Sequence, residues 1–385
     1  MEKARFKWVL RERNRKIAAK TEVFTEQQAR RVRSFHSSFK EYSPTPLIEL
    51  TSLAQHLGIK NLFVKDESYR FELNAFKVLG GSFAIGSYIA NELGEDIDDL
   101  PYMRLVSDEV RSLLGSKTFI TTTDGNHGRG VAWTANRLKQ QAIVYMPQGS
   151  AAERLANIRA EGAQAEITDM NYDDTVRYTS ELAQKNGWII VQDTAWDGYT
   201  RIPLWIMQGY MTMALEAYEQ LPVKPTHIFL QAGVGSLAGS VQGFFADIYG
   251  SSCPLTFIVE PKGADCLYQT AAANDGSLHS VTGRLETIMA GLACGEPNSI
   301  AWEILGNLSD GFISCPDYTA AQGMRILGNP LAGDTKVSAG DERLSDLKQA
   351  LQLDENSVVL CFNTEGDTDK ENYRRIVWDG AWGRE

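Results

Sequence analysis

The chain has 385 residues, 43% of them hydrophobic and 23% charged, and a formal net charge of −11 at pH 7. This is an ordinary globular composition, and no run approaches the roughly 18 apolar residues that a membrane span requires. The acidic balance disfavours a nucleic-acid partner, and the lack of a signal-peptide pattern predicts a cytoplasmic protein with no membrane contact.

The first 40 residues depart from this acidic balance, with 12 Lys and Arg against four Glu. A basic arm is typical of a transit peptide, but transit peptides are poor in acidic residues and this segment is not. We therefore expect a solvated helical segment that lies on an acidic body or on a second subunit.

Cysteine and histidine form no metal-binding or disulfide pattern. The chain has five of each, without a Cys-x-x-Cys pair and without His-Glu-x-x-His. We therefore expect no metal site. Cys266 and Cys294 could form a single pair, but free thiols are predicted for a cytoplasmic protein.

Short apolar runs rich in β-branched residues alternate along the chain with segments of helical periodicity. The runs lie at residues 62–65, 118–123, 142–147, 165–168, 188–193, 227–232, 256–261 and 357–362. Strands that alternate with helices indicate parallel βαβ units. The predicted fold class is therefore α/β, with a doubly wound, mostly parallel sheet.

Three of these runs are followed by turns that carry polar side chains or glycines. The turns read TDGNHG (123–128), QAGVGSLAG (231–239) and NTEGDTD (363–369), and another run ends at Asp193. In doubly wound sheets, ligands bind at the carboxyl ends of the strands. The sequence therefore predicts that these turns form one site.

The glycine-rich turn opens an apolar helix and predicts a phosphate-binding loop, because glycines let successive N–H groups close on an anion. A dinucleotide is an alternative ligand, since Glu260 ends the next predicted strand, where an acidic residue binds ribose in such proteins. A merely tight turn is a third interpretation. The position of the loop in the middle of the chain favours a single phosphate.

Lys77 lies between Phe76 and a Gly-Gly helix start in the segment LNAFKVLGGSFA (73–84). Apolar neighbours destabilise an ammonium group, so we expect a lowered pKa, which suits Schiff-base chemistry. The alternative is an ordinary helix lysine whose charged end reaches solvent.

This order of motifs resembles the fold type II pyridoxal 5′-phosphate (PLP) enzymes of the tryptophan synthase β and threonine dehydratase group, and within it the diaminopropionate ammonia-lyases. The similarity runs from about residue 45 to residue 380. The matching segments are PTPL, VKDES, LNAFKVLGGSFA, TTTDGNHGRGVAW, DMNYDDTVR, IIVQDTAWDGY, LQAGVG, IMAGLACGEPN, GMRILGNP and TEGDTD. The resemblance implies a large PLP-binding domain (residues 1–84 and 194–385), a smaller, more mobile α/β domain (residues 85–193) and a homodimer.

The resemblance also implies roles for individual residues. Lys77 is expected to hold PLP covalently, Asn126 to lie beside its phenolic oxygen, and the hydroxyl of Thr364 to meet its pyridine nitrogen. A neutral hydroxyl at that nitrogen favours elimination over transamination. The other cofactor contacts are assigned to Phe76 and to the phosphate-binding residues Gly233, Val234, Gly235, Ser236 and Leu237. The substrate contacts are assigned to Thr123, Asp124, Gly125, His127 and Asp193.

Asp124 is unusual, because a carboxylate in an anion-binding turn repels a substrate carboxylate. Considered alone, the residue is interpreted as a helix N-cap. The resemblance implies instead a substrate with a second ammonium group, as in 2,3-diaminopropionate. Lys77 and Asp124 are then the expected bases on opposite faces of the substrate, and either Asp124 or Asp193 is expected to serve the β-amine, because paired carboxylates can divide these roles. His127 is expected to fix the turn by hydrogen bonds.

The function implied is PLP-dependent α,β-elimination of D- and L-2,3-diaminopropionate to pyruvate and two ammonia. The alternatives are a serine/threonine dehydratase of the same fold, an NAD(P)-dependent oxidoreductase and a non-catalytic amino-acid-binding protein. The last alternative is supported by one departure from the family pattern. After residues 328–340, relatives continue with a glycine-rich Glu-Ser-Gly-Ala stretch, where this chain has DERLSDLKQAL.

Overall fold

The computed structural model describes residues 6–12, 21–328 and 345–383. The strands are β1 (Lys7–Leu10), β2 (Leu47–Glu49), β3 (Asn61–Asp66), β4 (Thr118–Thr122), β5 (Gln141–Met146), β6 (Gln164–Ile167), β7 (Ile189–Ile190), β8 (His227–Gln231), β9 (Leu255–Pro261), β10 (Gly311–Cys315) and β11 (Val358–Asn363). The α-helices are α1 (Glu26–Ser37), α2 (Thr51–Leu57), α3 (Val78–Leu93), α4 (Tyr102–Leu105), α5 (Asp108–Leu114), α6 (Asn126–Arg137), α7 (Ala152–Ala160), α8 (Tyr172–Asn186), α9 (Arg201–Gln220), α10 (Ser236–Tyr249), α11 (Cys266–Ala273), α12 (Ser299–Leu308), α13 (Asp317–Gly328), α14 (Ser345–Ala350) and α15 (Lys370–Val377). Within these described residues, no helix has the length and apolarity to cross a membrane.

The larger sheet has the strand order β1-β10-β9-β8-β11-β3-β2. Its five inner strands run parallel, whereas β1 and β2 pair antiparallel at the two edges. Parallel strands are covered on both faces, so they appear in the sequence as continuous apolar runs. Four of the inner strands were predicted for this reason. The sequence did not predict the two short edge strands. It also did not predict β10, which mixes apolar residues with Gly311 and Ser314.

The basic N-terminal segment contains both a strand and a helix. The expectation of helix was wrong for Lys7–Leu10, because these residues pair with β10, but it is confirmed for α1. The helix lies on acidic residues of the body, with Arg31 Nε 2.8 Å from Asp98 Oδ1 and Arg30 Nη1 2.9 Å from Glu219 Oε1.

The smaller sheet has the order β6-β5-β4-β7, and all of its strands are parallel. These four strands come from one continuous stretch of chain, and the strands of the larger sheet come from the residues on either side of it. The predicted α/β class with a second, smaller unit is confirmed. The domain boundaries at residues 84/85 and 193/194 stay a prediction, and α3 runs across the first of them.

Strand β7 is shorter than the run at 188–193 predicted. The side chain of Gln192 bonds the edge of β4 in place of the backbone: its Oε1 accepts from the Thr122 N–H at 3.0 Å, and its Nε2 donates to the Thr122 carbonyl at 3.1 Å. The backbone therefore leaves the sheet before Asp193, whose side chain points to Lys77.

Helix α3 packs between α9 and α6, and Gly130 of α6 lies against its first residues. A Cβ added to Gly130 would meet the Cα of Val78 at 2.8 Å and the carbonyl carbon of Lys77 at 3.2 Å. Backbone atoms cannot rotate out of the way, so the contact requires glycine. This glycine allows α6 to approach Lys77, the N-cap residue that directly precedes α3.

Gly130→Ala is expected to lower the free energy of unfolding by about 1–3 kcal/mol, the usual effect of overpacking. Chemical denaturation measures this change. The control is Gly323→Ala in α13, because an added Cβ there meets nothing within 4 Å; alanine should then be neutral or slightly stabilising. Unchanged stability of Gly130→Ala would contradict the close approach of the two helices.

A buried ion network joins β3, the turn after it and α9. Arg70 Nη2 lies 2.7 Å from Glu216 Oε2, Arg70 Nε lies 2.8 Å from Glu67 Oε2, and Lys65 Nζ lies 2.8 Å from Glu216 Oε2. None of the four side chains is more than 1% exposed. Burial alone would raise the pKa of Glu216, but Arg70 and Lys65 outweigh it and lower the pKa to about 2. Two cations thus neutralise two anions within the core.

Candidate active site

The predicted site segments meet between the two sheets. Lys77 Nζ lies 2.7 Å from Asp193 Oδ2, which joins the start of α3 to the turn after β7. The Phe76 N–H donates to the Thr364 carbonyl at 3.0 Å, which joins the same segment to the turn after β11. The Phe76 ring packs on Tyr210, with centroids 4.7 Å apart. Residues far apart in the sequence are therefore neighbours around Lys77.

Lys77 is held in an ion pair, and its side chain is only 17% exposed. Burial alone would lower the pKa of Lys77, but the carboxylate of Asp193 outweighs it, with smaller effects from Tyr210 and Asp124, and the pKa is raised. The lowered pKa predicted from the apolar neighbours was therefore wrong, because that prediction left out Asp193. Burial would likewise raise the pKa of Asp193, yet Lys77 and His127 hold it at about 2.

The turn after β4 is shaped by a bond within itself. Thr123 is buried, and its Oγ1 accepts from the Gly125 N–H at 2.9 Å. The Gly125 amide is therefore not available to a substrate carboxylate. The amides of Asn126 and His127 lie in the first turn of α6, where N–H groups have no acceptor within the helix. These two amides are the better candidates for binding an anion.

His127 fixes this turn, as the sequence suggested. Its ring is buried, and Nε2 lies 2.7 Å from the Val191 carbonyl, to which it donates. Burial lowers the pKa of His127. A neutral ring with one nitrogen bound to backbone connects α6 to the residues just before Asp193.

Asp124 is paired with an arginine that the sequence did not suggest. The structure contradicts the N-cap interpretation, because Gly125 precedes α6 and no side chain caps the helix. Instead, Asp124 Oδ2 accepts from Arg154 Nη1 at 2.8 Å. The negative charge of Asp124 also raises the pKa of Lys77, after the larger effects of Asp193 and Tyr210.

Asn126 contacts a second carboxylate that was not predicted. Its Nδ2 donates to Glu365 Oε2, and the same oxygen accepts from Thr368 Oγ1 at 3.0 Å. This bond joins the start of α6 to the turn after β11. Asn126 is thus oriented by the chain itself, and its amide nitrogen has a second N–H that can be donated to another group.

The glycine-rich loop has the geometry of an anion site. Gly235 has φ +99° and immediately precedes α10, a backbone conformation that favours glycine. A Cβ added to Gly233 would meet the Cα of Leu292 at 3.2 Å and the Sγ of Cys294 at 3.4 Å. The first amides of α10, from Ser236 onward, have no acceptor within the helix. Val234 and Leu237 are buried beside them.

The hydroxyl of Ser236 has a structural role. It donates to the Asp193 carbonyl at 2.6 Å and accepts from Asn298 Nδ2 at 2.8 Å. The Asn298 N–H in turn donates to the Val234 carbonyl at 2.8 Å. Ser236 therefore offers an anion its amide rather than its hydroxyl, and it ties the glycine loop to Asp193.

Thr364 is oriented by a neighbouring amide. Gln231 Nε2 donates to Thr364 Oγ1 at 2.9 Å and to the Phe362 carbonyl at 3.0 Å. The hydroxyl oxygen of Thr364 accepts this hydrogen bond, and its proton can still be donated to another group. This arrangement suits a ring nitrogen that has a free lone pair.

A cavity of about 250 Å³ adjoins these segments. It is lined by residues of α8, of the turns after β7 and β8, and of the segment before α12, among them Tyr172, Thr194, Val234, Cys294 and Glu296. Val234 belongs to the glycine loop, and the Sγ of Cys294 lies beside Gly233 of the same loop. The cavity therefore borders the glycine loop and, at Thr194, the residue that follows Asp193.

The structure removes the dinucleotide interpretation of the glycine loop. Glu260 is buried, and its carboxylate accepts from the N–H groups of Leu267 at 2.9 Å and Tyr268 at 2.7 Å. It caps α11 and does not face the loop as a ribose-binding carboxylate would. No disulfide joins the five cysteines, all of which lie in the described residues, and no group of His, Cys, Asp and Glu in these residues could hold a metal ion.

The residues of the site fit PLP. The glycine loop brings backbone N–H groups and a helix N-terminus, which bind a phosphate. Lys77 supplies a buried primary amine, and Thr364 supplies a hydroxyl proton for a neutral pyridine nitrogen. A cofactor with a phosphate, an aldehyde and a pyridine ring therefore matches the donors that are present.

Sequence reasoning missed Arg154, Glu365, Gln231 and Asn298. Glu365 and Gln231 lie inside turns that were singled out, so their positions in those turns were a usable signal. Asn298 ends the matching segment IMAGLACGEPN and is the N-cap residue of α12, whereas Arg154 lies in α7, whose sequence looks ordinary. The chain departs from its relatives after residues 328–340, where it reads DERLSDLKQAL. Residues 329–344 lie outside the described residues, whereas Ser345–Ala350 of this stretch form α14.

The family model described as "Pyridoxal-phosphate dependent enzyme" matches residues 39–365. The chain is 48% identical over 377 residues to the diaminopropionate ammonia-lyase of Escherichia coli strain K12, covering 93% of each chain. Crystal structures of the Escherichia coli enzyme, in complex with D-serine and with an aminoacrylate-PLP azomethine reaction intermediate, superpose with TM-scores of 0.89 and 0.87. Both are 46% identical and cover 99% of this chain and 98% of theirs. The chain therefore belongs to the diaminopropionate ammonia-lyase family of PLP-dependent enzymes.

Proposed function

We propose that this protein catalyses the α,β-elimination of 2,3-diaminopropionate, in both stereoisomeric forms, to pyruvate and two ammonia. The observation that carries the proposal is the placement of two carboxylates, Asp193 and Asp124, around one lysine. Both raise the pKa of Lys77. Lys77 and Arg154 balance these two carboxylates in the structure. Asp193 would lose its cation once Lys77 held PLP, and the second ammonium group of diaminopropionate could then replace that cation, whereas the hydroxyl of serine or threonine could not.

Residues from four segments of the chain would hold PLP in this site. PLP, when bound, accepts the electron pair left at Cα when the α-proton is removed. Lys77 is the residue that would hold it, the amides of Gly233–Leu237 would bind its phosphate, and the hydroxyl of Thr364 would donate to its ring nitrogen. Asn126 would lie beside its phenolic oxygen.

The side chains of the site divide the acid–base work. Lys77 Nζ takes the Cα proton from one isomer, and Asp124 takes it from the other isomer on the opposite face. Asp193 holds the β-ammonium, which leaves as ammonia with the electron pair of the Cβ–N bond. The enamine that is released reacts with one water to give pyruvate and the second ammonia. The substrate carboxylate binds the free amides at the start of α6.

Asp124→Asn is expected to lower kcat for D-diaminopropionate by about 10²–10⁴-fold, the usual contribution of a general base, and to change kcat for the L-isomer far less. Pyruvate formation from each isomer measures the effect. Asp169→Asn, at an exposed position next to Met170, serves as the control and should leave both rates unchanged.

Two outcomes would contradict the proposed function. Turnover of L-serine and L-threonine alone, with Asp124→Asn harmless, would support the dehydratase alternative, which has no use for a second carboxylate. Ligand binding without pyruvate from any substrate would support the non-catalytic alternative.

Three further expectations stay predictions: a homodimer, a cytoplasmic location and the division into two domains. Light scattering of the purified protein tests the homodimer.

A further inference from the structure

Arg154 is the one guanidinium that lies over the Asp124 turn in the described part of the chain. Its side chain is 10% exposed, and Nη1 lies 2.8 Å from Asp124 Oδ2 and 3.4 Å from the Asp124 carbonyl. A Cβ added to Gly125 would meet Arg154 Cδ at 2.8 Å. The arginine therefore contacts the carboxylate and also covers the backbone of the turn.

The surroundings of Arg154 differ from those of an ordinary ion pair. Besides Asp124, the carboxylates of Glu365 and Asp369 also act on its guanidinium and raise its pKa, against the effect of burial. Its Nε is buried without a hydrogen-bond partner among the described residues. Arg154 thus contacts Asp124 directly, the negative charges of Glu365 and Asp369 act on the same guanidinium, and one of its donors is unused.

The additional carboxylates near Arg154 affect how readily Asp124 can act as a base. When a buried, ion-paired carboxylate takes up a proton, its partner becomes an uncompensated buried cation, which is costly. Around Arg154, the charges of Glu365 and Asp369 remain when Asp124 is neutralised. Asp124 can therefore change its charge without leaving Arg154 uncompensated.

Helix α7, which carries Arg154, is bonded to the end of the turn after β11. The neighbouring Glu153 accepts from the Lys370 N–H through Oε2 at 3.1 Å, and Lys370 follows directly after Asp369. Helix α7 belongs to the strand–helix succession of the smaller sheet, whereas Lys370 follows β11 of the larger sheet. The position of Arg154 is therefore set from both sides of the site.

We propose that Arg154 is a positioning residue that determines stereoisomer use: it holds the Asp124 carboxylate in the orientation that reaches the α-proton of the D-isomer, and it has no part in the proton transfer by Lys77. This inference rests on the proposed function. It predicts that Arg154 affects one isomer only, whereas a purely structural role would affect both.

The test compares Arg154→Met and Arg154→Lys with wild type, in PLP-loaded protein and with both diaminopropionate isomers. Arg154→Met should lower the D/L ratio of kcat by about 10–100-fold, a misplaced-base effect, with kcat for the L-isomer nearly unchanged. Arg154→Lys should restore part of the ratio. The control Arg159→Met, an exposed residue on the same helix, should leave the ratio unchanged.

Two further readouts separate positioning from folding. In the Asp124→Asn background, Arg154→Met should cause no additional loss with the D-isomer, because the group that it positions is already gone. A crystal structure of Arg154→Met should show the Asp124 side chain turned away from its wild-type orientation.

An equal fall for both isomers, additive losses in the double variant, or an unmoved Asp124 would overturn the role of Arg154 and leave the proposed function intact. If Arg154→Met does not fold, an unchanged D/L ratio in Arg154→Lys overturns it instead. If Asp124→Asn alone spares the D-isomer, both the proposed function of Asp124 and the role of Arg154 are wrong.

Discussion

Lys77→Ala is expected to lower pyruvate formation from both diaminopropionate isomers by at least about 10³-fold, because it removes both the covalent attachment of PLP and a base. The variant should also lose the yellow absorbance of lysine-bound PLP. The loss should exceed that of Asp124→Asn, which spares one isomer. Stopped assays with excess PLP and absorbance spectra measure the two effects.

The control for this variant is Lys185→Ala, at an exposed position in α8, which should change neither rate nor spectrum. The fold should survive Lys77→Ala, although the ion pair with Asp193 is lost and a buried carboxylate is left behind. Retention of substantial activity with the L-isomer would show that another group takes the proton, and it would remove the assignment of Lys77.

Glu216→Gln is expected to lower the free energy of unfolding by about 3–5 kcal/mol, the cost of breaking a buried ion pair by removing one partner. The substitution leaves Arg70 and Lys65 with only Glu67 as a counter-charge inside the core. The midpoint of chemical denaturation at neutral pH measures the effect.

Glu219→Gln is the matched control, because the residue lies in the same helix and also pairs with arginines. Its side chain is 35% exposed, so the expected cost is only about 0.2–1 kcal/mol. Equal losses from the two variants would mean that the buried network contributes no more than a surface pair.

The same network should make the protein sensitive to acid. The pKa of Glu216 is lowered from 4.5 to about 2 in the folded chain. A depressed carboxyl group contributes stability above its ordinary pKa, and this contribution is lost as the pH falls through the folded value. Wild type should therefore lose stability between about pH 4.5 and about pH 2 more steeply than Glu216→Gln, which cannot lose this contribution.

The ion pair of Lys77 and Asp193 also affects how the site is prepared for its cofactor. A primary amine must be neutral to attack an aldehyde, whereas Asp193 raises the pKa of Lys77. Loading with PLP therefore has to displace this ion pair. Asp193 is then left free to hold the β-ammonium of a substrate, in agreement with the proposed division of roles.

The sequence by itself determined the family, the cofactor and the segments that form the site. Four of the inner parallel strands were predictable because strands that are buried on both faces consist of continuous apolar runs. The motifs around Lys77, Asn126 and Gly233 were recognisable because each is made of consecutive residues. A phosphate loop needs neighbouring glycines and a helix start, and both are properties of a few consecutive residues.

The tertiary structure alone decided which charges face one another. Lys77 was expected to have a lowered pKa, and only its contact with Asp193, more than 100 residues away, reversed the direction. Sequence periodicity could not predict the ion pair of Arg154 with Asp124 or the hydrogen bond of Asn126 with Glu365. Both contacts depend on distance in space and not on spacing in the chain. Sequence patterns report local backbone and burial, whereas the electrostatics of the site arises where the two sheets meet.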